Sequence, residues 1–132
     1  MALFNNPSDD NRPVFLDLTK IALPVTALVS ILHRVSGVGM ILGLPIMIAM
    51  MYATVAGGVY HTYLTASLNY TLVKIVLLLI VTGTGYHILA GIRHSFDDFI
   101  GSHSLRSARV SAWAILLLWL VWVALCVRRL WF

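Results

Sequence analysis

Apolar residues fall in three long blocks along the chain, separated by two shorter polar and aromatic stretches. The first block follows Pro24 and keeps a helical pattern over 25–56, which exceeds the ~20 residues needed to cross a bilayer core. Its opening turns carry Ser30, His33 and Arg34, so these turns project to a membrane boundary and the apolar span proper starts near Val35. The second block covers about 72–92, with Lys74 snorkelling at its start. The third covers about 110–127 and stops at Arg128-Arg129. Stretches 57–71 and 93–109 read as loops; the first holds Tyr60, His61, Tyr63 and Tyr70 and suits a membrane–water interface. Residues 1–23 read as an aqueous arm in which Asp17 caps a short helical piece over 18–23, and Pro24 suits a first helical position. Pro45 inside the first span is expected to kink it. The fold expected is an all-α integral membrane domain over 1–132 with three transmembrane helices, packed in a bundle with other subunits.

Composition agrees with this pattern. Hydrophobic residues make up 60% of the 132 and charged residues 11%, against roughly 25% charged in soluble domains, and the mean hydropathy is +0.91. A pI near 9.6 would permit a nucleic-acid partner, but the basic residues flank apolar spans, which points to lipid and excludes a nucleic-acid face. Arg12, Lys20, Arg34, Arg93, Arg106 and Arg109 fall on one side of the membrane and Lys74, Arg128 and Arg129 on the other, six against three. The positive-inside rule then puts the N-terminus in the cytoplasm, and the compartment expected is a bacterial inner membrane. All five acidic residues are aspartates on that same inner side. Cys126 is the only cysteine, so no internal disulfide, zinc cluster, iron–sulfur site or covalent haem attachment is available.

Against this apolar background the ionisable positions carry the chemistry. His87 lies inside the second block, five residues from its end, or roughly 8 Å at the helical rise. Intramembrane histidines mark functional sites by default. Gly83, His87, Gly91 and His94 recur on one helix face, a flat surface with an exposed imidazole. Such a face can hold a planar metal cofactor, making His87 an axial haem ligand. The plainer reading is a histidine hydrogen-bonded to a neighbouring helix, as in a small scaffold or transporter subunit. A third reading has His33 and His87 ligating one haem within the chain. Ser30 and Arg34 share a face at i and i+4 near the boundary, where a hydroxyl and a guanidinium can grip a quinone oxygen and favour its developing charge. His33 and Arg34 can also neutralise haem propionates; otherwise Arg34 is a lipid-phosphate anchor. Gly39-x-x-x-Gly43 is a helix-packing motif. His94 and Asp98 stand at i and i+4 and form a relay only if the helix continues past 92; Asp97, His61 and His103 are read as bystanders. Trp113 and Trp131 suit interfacial belts, and Trp119 and Trp122 suit packing.

Three segments together resemble one family: Arg12-Pro13-Val14-x-Leu16-Asp17-Leu18, Ser30-Ile31-Leu32-His33-Arg34-x-Ser36-Gly37, and Tyr86-His87-x-x-x-Gly91-Ile92-Arg93-His94-x-x-x-Asp98-Phe99. They look like the cytochrome b membrane-anchor subunit of succinate dehydrogenase, respiratory complex II. The resemblance implies haem b, with His87 as one axial ligand and the opposite histidine supplied by a second small anchor subunit. It implies that Ser30, Arg34 and the adjacent Ile31 line a ubiquinone site near the iron–sulfur subunit, that His33 and Arg34 lie near the propionates, and that Asp98 lies near the quinone. It also implies a flavoprotein subunit that oxidises succinate. This chain would then contribute the quinone-reduction site and not the dehydrogenase chemistry.

Overall fold

The computed structural model describes residues 23–100 and 104–132. Among these residues the regular secondary structure is all helix: α1 Val25–Ala56, α2 Gly58–Ser67, α3 Thr71–Ile100 and α4 Leu105–Trp131. Helices α1, α3 and α4 are each long and apolar enough to cross a membrane. The expected segment over 18–23, the Arg12–Leu18 motif and His103 lie outside the described residues, apart from Leu23, which is not helical.

Three boundaries differ from the sequence expectation. The stretch 57–71 is not a simple loop, because α2 occupies most of it, with exposed His61 on that helix. Gly57 and Gly58 take φ of 65° and 53°, a left-handed turn that glycine accepts without Cβ strain, and this turn separates α1 from α2. Thr62, Thr65 and Ser67 return hydrogen bonds to carbonyls three or four residues back and so shield the helix backbone. The stretch 93–109 is likewise largely helical: α3 continues to Ile100, and α4 begins at Leu105 with Ser104 as its cap, the Ser104 Oγ accepting from the Ser107 N–H at 3.2 Å. Pro24 precedes α1 in an extended conformation and is not its first helical residue; its carbonyl accepts from Ala27 and Leu28. α1 continues through Pro45.

Helix α3 lies centrally, packed against α1 on one side and α4 on another. The core is small. Val29 of α1, Tyr86 and Ala90 of α3, and Ala112 and Ile115 of α4 form it, with Leu32, Leu89 and Trp119 around them. Small residues at Ala90 and Ala112 let the backbones approach, as expected where lipid replaces water and close contact drives association. Polar side chains supply the remaining attachment. The Tyr86 hydroxyl donates to the Val29 carbonyl at 2.9 Å. The Trp119 indole donates to the Thr82 carbonyl at 3.0 Å, and the Trp122 indole donates to Val81 at 3.4 Å. Gly85 admits that second indole, since a Cβ there would stand 2.6 Å from Trp122 Nε1.

Within each candidate span only 6%, 22% and 11% of the most apolar stretch is buried by the chain itself. The outward faces carry Ile41, Leu42, Val55, Leu72 and Leu79, all exposed. These helices must therefore be covered by lipid or by helices of other chains.

Candidate haem and quinone face

The site grows from the crossing of α1 and α3. His33 lies one turn beyond Val29 on α1, beside the core, and so its ring faces α3. His87 lies beside Tyr86 on α3 and faces back. The two imidazoles stack with centroids 4.1 Å apart and planes 19° from parallel. The His94 ring lies 5.1 Å from that of His33, tilted by 45°. The histidines at 33, 87 and 94 are thus one cluster, drawn from two helices.

Gly37 makes this approach possible, whereas a Cβ at Gly91 would make only an ordinary contact. A Cβ at Gly37 would stand 3.1 Å from His87 Cε1, and one at Gly91 would stand 3.5 Å from His33 Nε2. Gly83 has nothing within 4 Å of a Cβ position; it lines a cleft of about 300 Å³ between α1, α3 and α4, with Ser36, Gly39 and Trp119. The packing motif divides in the same way. Gly43 is buried against Ile80, whereas Gly39 meets nothing.

Hydrogen bonds fix the chemistry of His87. Its Nδ1 lies 3.1 Å from the His33 carbonyl oxygen and 3.2 Å from Ser36 Oγ. A carbonyl only accepts, so Nδ1 carries the proton. Ser36 gives its own proton to the same His33 carbonyl at 2.8 Å, leaving its lone pairs for Nδ1–H. When the ring is neutral its lone pair then lies on Nε2, which has no partner among the described residues and is not fully buried. A ring whose far N–H is anchored to a backbone carbonyl is the arrangement used by metal-ligating histidines. The residues therefore fit an axial haem ligand. Ser36 was visible in the sequence only as a small residue near His33; its spacing of three residues on the same helix is the signal that it shares the histidine face.

The stacked pair does not fit two ligands of one haem. Axial imidazoles point at each other across the iron, with centroids roughly 6 Å apart if each metal–nitrogen distance is about 2 Å. Face-to-face rings at 4.1 Å leave no room for a porphyrin.

His33 Nε2 is buried without a partner, while Nδ1 of the same ring is neither bonded nor fully buried. Ser30 is half-buried, and Ile31 and Arg34 are exposed, on the side of α1 turned away from the core. Arg34 makes no ion pair among the described residues. Asp98 is exposed, and among the described residues no hydrogen bond or ion pair joins it to His94, which contacts His33 instead.

Arg93 is more than a flanking charge. It is 9% exposed, its Nε donates to Ser111 Oγ of α4 at 2.9 Å, and its Nη2 lies 3.3 Å from Asp97. Ser111 passes its proton to the Ala108 carbonyl. This chain of contacts ties the end of α3 to the start of α4, and it gives Asp97 a structural partner.

Comparison with known proteins agrees with this architecture. The chain matches, over residues 8–126, the family described as succinate dehydrogenase/fumarate reductase transmembrane subunit. It is 31% identical over 122 residues to the succinate dehydrogenase cytochrome b556 subunit of Coxiella burnetii, covering 91% of this chain and 97% of that protein. It is 29% identical over 119 residues to the subunit of the same name from Rickettsia felis, covering 86% and 93%. With three membrane-length helices and a match that spans most of its length, the chain belongs to the family of succinate dehydrogenase/fumarate reductase transmembrane subunits.

Proposed function

We propose that this chain is the haem b membrane-anchor subunit of a bacterial succinate:ubiquinone oxidoreductase and supplies its quinone-reduction site. The observation that carries the reading is the anchored Nδ1 of His87, which leaves Nε2 as the lone-pair nitrogen. His87 would hold a haem iron through Nε2, together with a histidine of a second small anchor subunit, and the haem would supply a one-electron store. Arg34 would neutralise the propionates, with His33 beside them offering Nδ1 for a hydrogen bond. The low self-burial of the spans supports a helical partner.

Ubiquinone sits against Ser30, Ile31 and Arg34, with the iron–sulfur subunit above them and the flavoprotein beyond it. Ser30 hydrogen-bonds one quinone oxygen. Arg34 orients it and stabilises the negative charge that builds there during reduction. Two electrons from succinate and two protons convert the quinone to quinol. Asp98 lies near this pocket at the membrane surface. The N-terminus and the histidine end of the bundle face the cytoplasm, in the bacterial inner membrane.

Two measurements on the gently solubilised complex test this. Wild-type complex should show a reduced b-type spectrum that disappears in His87→Ala; absence of haem from the wild type defeats the reading. Ser30→Ala and Arg34→Ala should slow quinone reduction, while succinate oxidation with an artificial dye acceptor survives. Loss of a charged hydrogen bond costs about 1.5–3 kcal/mol, so Arg34→Ala should lose roughly ten- to a hundredfold. An equal loss of both activities would assign these residues to assembly.

A further inference from the structure

The end of the bundle away from the histidines carries a second polar feature that haem and quinone chemistry does not use. Lys74 in the first turn of α3 and Arg129 in the last turn of α4 line one cavity of about 460 Å³ with Leu68, Asn69 and Leu130. Arg129 also lines an adjoining cavity of about 500 Å³ with Leu125, Arg128 and Phe132. Lys74 Nζ lies 5.8 Å from the centre of the Trp131 ring. Thirteen residues of α3 separate Lys74 from His87, which is roughly 20 Å along the helix.

No acidic residue occurs between Asp17 and Asp97 or after Asp98. Lys74 and Arg129, from two helices, thus share one cavity, Arg128 borders the adjoining one, and among the described residues none of the three forms an ion pair. Arg128 and Arg129 complement the α4 C-terminus. Lys74 does not, because it stands at the opposite pole of its own helix, where it adds positive charge to a positive dipole end. Among the described residues its charge is met by the Trp131 ring alone, and an anion would offset it further. The walls beside the cations are Leu68, Leu125, Leu130 and Phe132, which suit hydrocarbon. Exposed Tyr60, Tyr63 and Tyr70 precede α3 at the same end and mark a membrane–water interface.

We propose that Lys74, Arg128 and Arg129 form a binding site for the phosphodiester headgroup of an anionic membrane phospholipid, with its acyl chains along the apolar flank of α3 and α4. An anion with attached hydrocarbon satisfies both the cations and the leucine walls, whereas a soluble anion satisfies only the cations. This inference is independent of the haem and quinone assignments.

The test compares the purified complex with its K74Q/R128Q/R129Q variant, by native mass spectrometry for retained lipid and by thermal unfolding in nanodiscs of phosphatidylcholine with or without phosphatidylglycerol. Wild type should retain anionic lipid and unfold at a higher temperature with phosphatidylglycerol. The variant should lose both effects, with affinity falling roughly fivefold per cation removed. Arg129→Lys should keep most of the binding. Subunit composition and helical circular dichroism of the purified complex serve as the folding control. Equal lipid retention in wild type and variant, or equal stabilisation by phosphatidylcholine, overturns the proposal. So does the same stabilisation by inorganic phosphate, which would assign the cations to a free anion. Should the variant not assemble, delipidated wild type decides: recovery with phosphatidylglycerol alone supports the site, and equal recovery with either lipid overturns it.

Discussion

Replacing Gly37 by alanine isolates the geometry of His87 from the stability of the fold. The new Cβ would stand 3.1 Å from His87 Cε1 and 3.5 Å from Nδ1. Unstrained carbon contacts begin at about 3.5 Å, so the imidazole must recede by a few tenths of an ångström. It has little freedom to do so, being held at Nδ1 by contacts of 3.1 and 3.2 Å and by the His33 ring at 4.1 Å. Recession loosens the Nδ1 contacts, at about 1 kcal/mol for one such bond. Glycine to alanine inside a helix returns about 0.8–1 kcal/mol. The two terms nearly cancel, so Gly37→Ala should leave thermal stability within a few degrees of wild type. Ligand orientation has no such compensation. Loss of the outer partner of a metal-ligating histidine typically weakens metal binding about 10–100-fold, and the haem-to-protein ratio of the purified complex should fall accordingly, with an altered low-spin optical spectrum. An unaltered spectrum and haem content in Gly37→Ala would refute the reasoning.

Two further expectations concern the supports around this site. Ser36→Ala removes the Oγ contact but leaves Nδ1 bonded to the His33 carbonyl, so it should shift the haem midpoint potential or spectrum while haem stays bound; complete haem loss on redox titration samples would show that Ser36 does more than orient the ring. Arg93→Met keeps the apolar stem but breaks the Ser111 contact and the Asp97 pair, so it should destabilise by about 1–3 kcal/mol in thermal unfolding, and an unchanged unfolding temperature would deny it the role of joining α3 to α4.

The elements differ in how far the sequence alone exposes them. The three membrane-length helices are legible because hydropathy is local: an apolar run must be shielded from water wherever the chain goes. Helix α2 is not, since its tyrosines, threonines and glycines are equally compatible with an interfacial loop; the Gly57-Gly58 turn and the hydroxyl-to-carbonyl bonds are what hold it. The continuation of α3 past Ile92 is hidden for a related reason. Arg93 and Asp97 look like solvated charges one by one, and become helical interior only when Arg93 finds Ser111 across the α3–α4 contact.

The site divides along the same line. Spacing along one helix placed His87, Gly91 and His94 on a common face, because the period of an α-helix fixes which positions align. It could not say what that face meets. Only the crossing of α1 and α3 brings the His33 carbonyl and Ser36 Oγ to His87 Nδ1, and that contact decides which ring nitrogen is left for a metal. It also stacks His33 on His87, which removes the ligand pair within one chain that spacing had allowed. The meeting of Lys74 and Arg129 at one cavity is likewise tertiary, since 55 positions separate them. Residue type and period determined that this protein lives in a membrane and which faces are polar; distances between helices, which no local pattern encodes, determined what those polar groups can hold.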